Sequence, residues 1–244
     1  MPLISKSSVS LNKEELVFTL AVAATTAGYL AYYFLGHAEG VIRRLNAGCD
    51  ERRSAIRKVV FQRLAGVVFL GLFPVAVMLL FLPPDLLRGF GLGLTRPGQT
   101  LLWSAGLSAL VIALNFFNAR KPSNLEMYPQ IRITDWTYGD LAVSGLTWAL
   151  YLLAYEILFR GILFVPLAPV IGLVPAVTLN AAVYALAHLP KGMKESVGAI
   201  PFGIVVCLIT WSTGNIWTAF WVHAAMALSN EWLSLYFHPE MKLQ

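Results

Sequence analysis

The sequence predicts an all-α fold, a polytopic transmembrane helix bundle of about seven to eight spans, and three observations carry that prediction. Hydrophobic residues fill 57% of the 244 positions and charged residues only 13%, about half the charged share of a soluble domain. Mean hydropathy is +0.67. The apolar residues also gather into stretches close to the roughly 20 residues that crossing the hydrocarbon layer requires. One core of this size could not hide so much apolar surface, which excludes a soluble domain, a disordered tail and a secreted disulfide scaffold.

Taken in order, the stretches cover 15–35, 62–82, 99–117, 139–166, 172–189, 196–212 and 215–237. Only the turn-rich run from Pro166 to Pro175 separates the fourth from the fifth, which predicts a tight helical hairpin. In the sixth, Pro201 and Gly203 predict either a kink that opens a path or close helix packing. Residues 1–14 are polar and no small-residue cleavage pattern follows a short apolar core, so no cleavable signal peptide is expected. Cys49 and Cys207 form neither a disulfide framework nor a CxxC pair. With no internal repeat and no low-complexity linker, residues 1–244 read as one integral-membrane domain.

The net charge of +5 reports topology and lipid contact rather than nucleic acid. The loops 36–61, 118–138 and 190–195, with Arg63 and the C-terminus, carry 13 of the Lys and Arg residues. The opposite side carries four, Lys6, Lys13, Arg88 and Arg96. By the positive-inside rule the first side is cytoplasmic and the N-terminus lies outside. The basic juxtamembrane segment 36–63 reads as a helix lying on anionic headgroups, or else as a docking patch for an acidic partner.

Charged groups inside a span are costly and are candidates for function. The fourth span contains Glu156 and Arg160, one turn apart on one helical face. Alone, the pair could be a structural salt bridge. Two imidazoles add to it: His188 ends the fifth span and His223 sits in the seventh. Glu156 and His188 are each 16 residues from Gly172, so a regular hairpin would set them face to face, about 24 Å from the turn. His223 lies roughly 13 Å into its span and reaches that layer only if its helix starts early or tilts. A carboxylate, a guanidinium and two imidazoles suit water activation against an amide. No Ser or Cys sits beside a His for a nucleophilic triad. A zinc site on Glu156, His188 and His223 is chemically possible, although no cofactor is required.

The run Tyr155-Glu156-x3-Arg160-Gly161, then Tyr184-x3-His188, then His223-Ala224 resembles the three motifs of the CAAX-protease and bacteriocin-processing (CPBP) intramembrane proteases. The resemblance covers residues 139–237, a four-helix catalytic core. It implies a helical membrane bundle in which glutamate-activated water cleaves peptide bonds near a membrane face. By position, Glu156 would be the base or its partner and Arg160 its orienting ion pair. His188 and His223 would place water or stabilise the oxyanion. Tyr155 stands where the family generally has a first Glu, and Ala227 where it has Asn, a position that Asn230, two turns past His223, could partly supply.

Trp136, Tyr138, Trp211, Trp217 and Trp232 fit an interfacial aromatic belt, and Trp136 and Trp217 could also grip substrate. The expected function is therefore an intramembrane endopeptidase, in a bacterial inner membrane, acting on a membrane-anchored protein or peptide. Two alternatives stay open: a proteolytically inactive relative that binds a membrane partner, and a small transporter using the buried charges as a proton relay.

Overall fold

The computed structural model describes residues 11–84 and 90–244; Lys6 and Arg88 of the charge count lie outside the described residues. Helix α1 (Lys13–Gly36) starts at a capping box, in which Asn12 accepts from the Glu15 amide and the Glu15 carboxylate accepts from the Asn12 amide. After the short α2 (Glu39–Leu45), helix α3 (Glu51–Gly66) runs through a π-helical segment, Val67–Leu72, into α4 (Phe73–Phe81). The second long helix thus begins at Glu51 and not near 62, taking the end of the basic segment into the bundle. α5 (Pro97–Asn118) and the short α6 (Pro122–Leu125) follow.

α7 (Tyr138–Glu156) opens on a second capping box between Thr137 and Asp140, and Arg52 pairs with the same Asp140 carboxylate. It continues as a π-helical segment, Ile157–Phe164, then α8 (Ala168–Ile171), and turns at Gly172 into α9 (Leu173–Ala187). Gly172 has φ +89°, which an L side chain rarely adopts, so the predicted hairpin turns at the expected residue. α10 (Met193–Thr213) and α11 (Trp217–Phe237) complete the bundle. α11 packs on α5 and α7, and α10 packs on α9.

This is the expected helical membrane bundle, but five helices among the described residues, against seven to eight expected, have the length and apolarity to span: Lys13–Gly36, Glu51–Phe81, Pro97–Asn118, Tyr138–Ile171 and Met193–Thr213. α9 has 15 residues, about 22 Å of helix against a hydrocarbon layer of about 30 Å. α11 is long enough, but His223, Asn230 and Glu231 within it lower its hydropathy. Pro201 lies inside α10. Gly203 serves packing there: a Cβ on it would sit 3.4 Å from the Tyr184 ring.

At one end, β1 (Asp135–Trp136) pairs in parallel with β2 (Lys242–Leu243) over a small cluster of Ile131, Ile133, Trp136, Leu235 and Met241. Trp136 is completely buried there, so it neither belongs to an aromatic belt nor grips substrate. Trp217 is half-buried and donates through Nε1 to the Leu92 carbonyl at 3.2 Å. Tyr138, Trp211 and Trp232 are exposed, as a belt requires.

Candidate active site

Glu156 ends the α-helical part of α7, and Arg160 follows one turn later in the π-helical segment. Both are fully buried and form an ion pair, Arg160 Nη1 to Glu156 Oε2, at 3.0 Å. The guanidinium also lies 4.3 Å over the Tyr184 ring. π-Helical turns loosen the regular hydrogen-bond ladder and are frequent at functional sites. In this one the Phe159 carbonyl accepts from Asn180 Nδ2 of α9 at 2.5 Å, which clamps α9 to the segment carrying Arg160. Asn180 Oδ1 in turn accepts from the Cys207 thiol of α10 at 3.2 Å.

The other carboxylate oxygen, Glu156 Oε1, lies 2.7 Å from His223 Nδ1. The sequence left His223 as the residue whose depth was least certain, yet α11 brings it directly onto Glu156. His188 sits one residue off the expected register. Its Nδ1 is 2.8 Å from the Tyr184 carbonyl and 3.4 Å from the Tyr155 hydroxyl, so Tyr155 rather than Glu156 faces it. The arm that carries Glu156 runs through the π-helical segment Ile157–Phe164 before the turn, and the carboxylate is turned toward α11. Aromatic rings hold the imidazoles, with Phe202 and Tyr155 edge-on to His223 and Tyr184 tilted against His188.

A ring nitrogen facing a carbonyl or a carboxylate oxygen must be the N–H donor, because those partners only accept. Both histidines therefore carry a proton on Nδ1, and in the neutral ring Nε2 is then the lone-pair acceptor. A cavity of about 860 Å³ reaches this layer, lined at its inner end by Tyr155, His188 and His223, while Glu156 lies behind His223 without exposure. Lys58, Arg132 and Lys191 line its outer part, Lys58 on helix α3 and the other two in the segments 126–134 and 188–192 between helices. Asn230 is not brought to this cluster: it is buried, and its Oδ1 has no hydrogen-bond partner among the described residues. Ala227 packs against the apolar core. Among the described residues, no group of three or more His, Cys, Asp or Glu side chains is arranged to hold a metal ion.

A second buried charge cluster escaped the sequence reading. Arg63, expected at a loop edge, is 3% exposed and pairs with the fully buried Glu231 of α11 at 3.4 Å. Its Nη1 donates to the Ser144 carbonyl and hydroxyl and to Thr147, and Nη2 donates to Gln130. Glu231 also accepts from Ser144 Oγ and from the Gln130 amide. Nearby, burial and then the Glu195 and Glu231 carboxylates push the Tyr128 phenol well above its ordinary pKa. It stays protonated and donates to Glu195 at 3.2 Å. Glu231 was visible as a charge inside the seventh stretch, and that was the one signal that could have found the cluster.

The arrangement is a membrane-embedded carboxylate–imidazole site at the end of an aromatic cavity. Residues 138–229 match the family model described as type II CAAX prenyl endopeptidase Rce1-like, in line with the CPBP resemblance, and the matched segment contains every member of the site. The match supports a CAAX-type intramembrane protease fold and, with it, a membrane hydrolase. Comparison with curated proteins and with solved structures returns no match.

Proposed function

We propose that the protein is an intramembrane endopeptidase that cleaves a membrane-anchored protein or peptide near the face carrying the basic loops. The observation that carries this reading is the 2.7 Å contact between Glu156 and His223, with His223 on the cavity wall and Glu156 sealed behind it. The ionised carboxylate holds the imidazole with its proton on Nδ1 and stabilises the imidazolium that forms when Nε2 takes a proton from water. Glu156 and Arg160 are then positioning residues, and His223 is the base. The hydroxide formed attacks the peptide carbonyl. His223 afterwards returns its proton to the leaving amine. Tyr155 lines the same cavity and its O–H is available to the oxyanion, a role that neutral His188, with only a lone pair on Nε2, does not fill. His188 Nε2 is placed to accept from a water or from the substrate amide.

The test uses the purified full chain in proteoliposomes with quenched fluorescent peptides that are lipidated near the C-terminus. Cleavage is expected, with kcat lowered about 10²- to 10⁴-fold in His223→Ala and about 10²- to 10³-fold in Tyr155→Phe. Cleavage unaffected by both substitutions would remove this mechanism. Tyr155 in the place of the family's first Glu, and the burial of Glu156 between Arg160 and His223 away from the cavity, favour a second reading, a relative that binds a membrane partner without cleaving it. In cells, Glu156→Gln and His188→Ala variants that accumulate one common uncleaved membrane precursor support the protease. Variants that change no protein terminus, while deletion has a phenotype, support the binding protein. A bacterial inner membrane as the setting belongs to the same proposal.

A further inference from the structure

The cavity has a second character that peptide hydrolysis does not use. Along one wall the last turns of α1 present Tyr29, Tyr32, Tyr33 and Phe34, a broad aromatic strip. Lys58, Arg132 and Lys191 frame the outer part, from helix α3, the segment before β1 and the turn after α9 respectively. Glu126 is the single acidic residue of the described lining. Arg63, the fourth cation there, is bound up with Glu231 and its hydroxyl partners. Lys58 and Arg132 are exposed and Lys191 is half-buried, its ammonium 3.6 Å from Glu195 and 6.0 Å from the Trp148 ring centre. Cations at the rim and aromatic rings below it suit an amphiphile with an anionic head and a hydrocarbon chain. The volume lies within the roughly 300–1,000 Å³ of small-molecule pockets.

We propose that this cavity binds an anionic phospholipid from the leaflet at the basic face. Its phosphate meets Lys58, Arg132 and Lys191, and an acyl chain lies along Tyr29, Tyr33 and Phe34. Charge complementarity selects the head, and the position of the three cations on the face with the larger share of Lys and Arg places them where anionic headgroups concentrate. The lipid and a peptide substrate would then compete for one space. The inference does not depend on hydrolysis, because its readout is lipid retention.

Native mass spectrometry of the purified full chain, given equimolar phosphatidylglycerol and phosphatidylcholine of identical chains, tests it. Wild-type protein is expected to retain one phosphatidylglycerol in preference to phosphatidylcholine. A near-surface Lys or Arg contributes about fivefold, so the combined Lys58→Gln, Arg132→Gln, Lys191→Gln variant should lose about 100-fold. The single exposed change Lys58→Gln should lose about fivefold and guards against misfolding of the triple variant. A matched triple variant at Arg43, Arg44 and Arg53, basic residues of the same segment that do not line the cavity, should keep the preference. No preference in the wild type, or an equal loss in the matched variant, overturns the proposal in favour of general headgroup attraction.

Discussion

Glu156–Arg160 and Arg63–Glu231 are both carboxylate–guanidinium pairs buried in the bundle, at 3.0 and 3.4 Å, but they differ in how they are assembled and in what they touch. The first joins residues one helical turn apart and passes its charge to His223, which faces the cavity. The second joins residues 168 positions apart and is closed by Ser144, Thr147 and Gln130. It ties α3, α7, α11 and the loop before α7 together. A buried pair that leads to a cavity-facing imidazole is arranged for chemistry, whereas one that ends on its own hydrogen-bond partners is arranged for assembly. Burial and charge alone do not separate the two; the third partner does.

The sharpest way to break this contrast is to neutralise one carboxylate at a time. Glu156→Gln is expected to lower peptide cleavage about 10⁴-fold per folded molecule, because an amide can hold the wrong imidazole tautomer. It also strands Arg160, at about 3–5 kcal/mol of stability. Glu231→Gln should cost a similar 3–5 kcal/mol in detergent unfolding while leaving cleavage per folded molecule within about twofold, since no atom of that pair meets His223 or His188. If both variants lose cleavage alike, the division between the clusters fails. Smaller effects test the scaffold. Gly66→Ala would put a Cβ 2.3 Å from the Tyr151 ring and should cost about 1–3 kcal/mol by overpacking where α3 meets α7. Asn180→Ala leaves the Phe159 carbonyl without its amide donor and should cost about 1–3 kcal/mol, with the loss read as a lower unfolding midpoint. Least of all, Arg52→Ala removes a part-exposed ion pair to Asp140 and should change stability by under about 1 kcal/mol.

The same contrast explains how much was legible beforehand. Arg160 was readable from Glu156 because an α-helix sets i and i+4 on one face whatever surrounds it. The hairpin was readable because only a turn-rich run separates two apolar stretches. Arg63 was misread because the count placed it at a loop edge, while α3 in fact begins 12 residues earlier and carries it inside. Glu231 sat in plain view in the seventh stretch, but nothing local says which residue will neutralise it. Trp136 was misassigned because a Trp near a span end is usually interfacial, whereas here it is buried among Val59, Ile131, Ile133, Leu235 and Met241.

By itself, then, the sequence determined the helical membrane class, through composition and stretch length, and the neighbours within single helices, through the 3.6-residue period. It also carried the family resemblance over the last four helices, and the family match at 138–229 is consistent with that resemblance. Tertiary structure alone decided that Glu156 turns to His223 and leaves His188 to Tyr155 and the Tyr184 carbonyl. It decided too that Arg63 and Glu231 meet, and that the cavity joins the two histidines to the basic loops. The physical reason is that helix periodicity fixes angle and rise along one axis, whereas the depth and rotation of one helix against another follow from packing and from π-helical turns. Those terms are sums over many side chains, and no short stretch of sequence contains them.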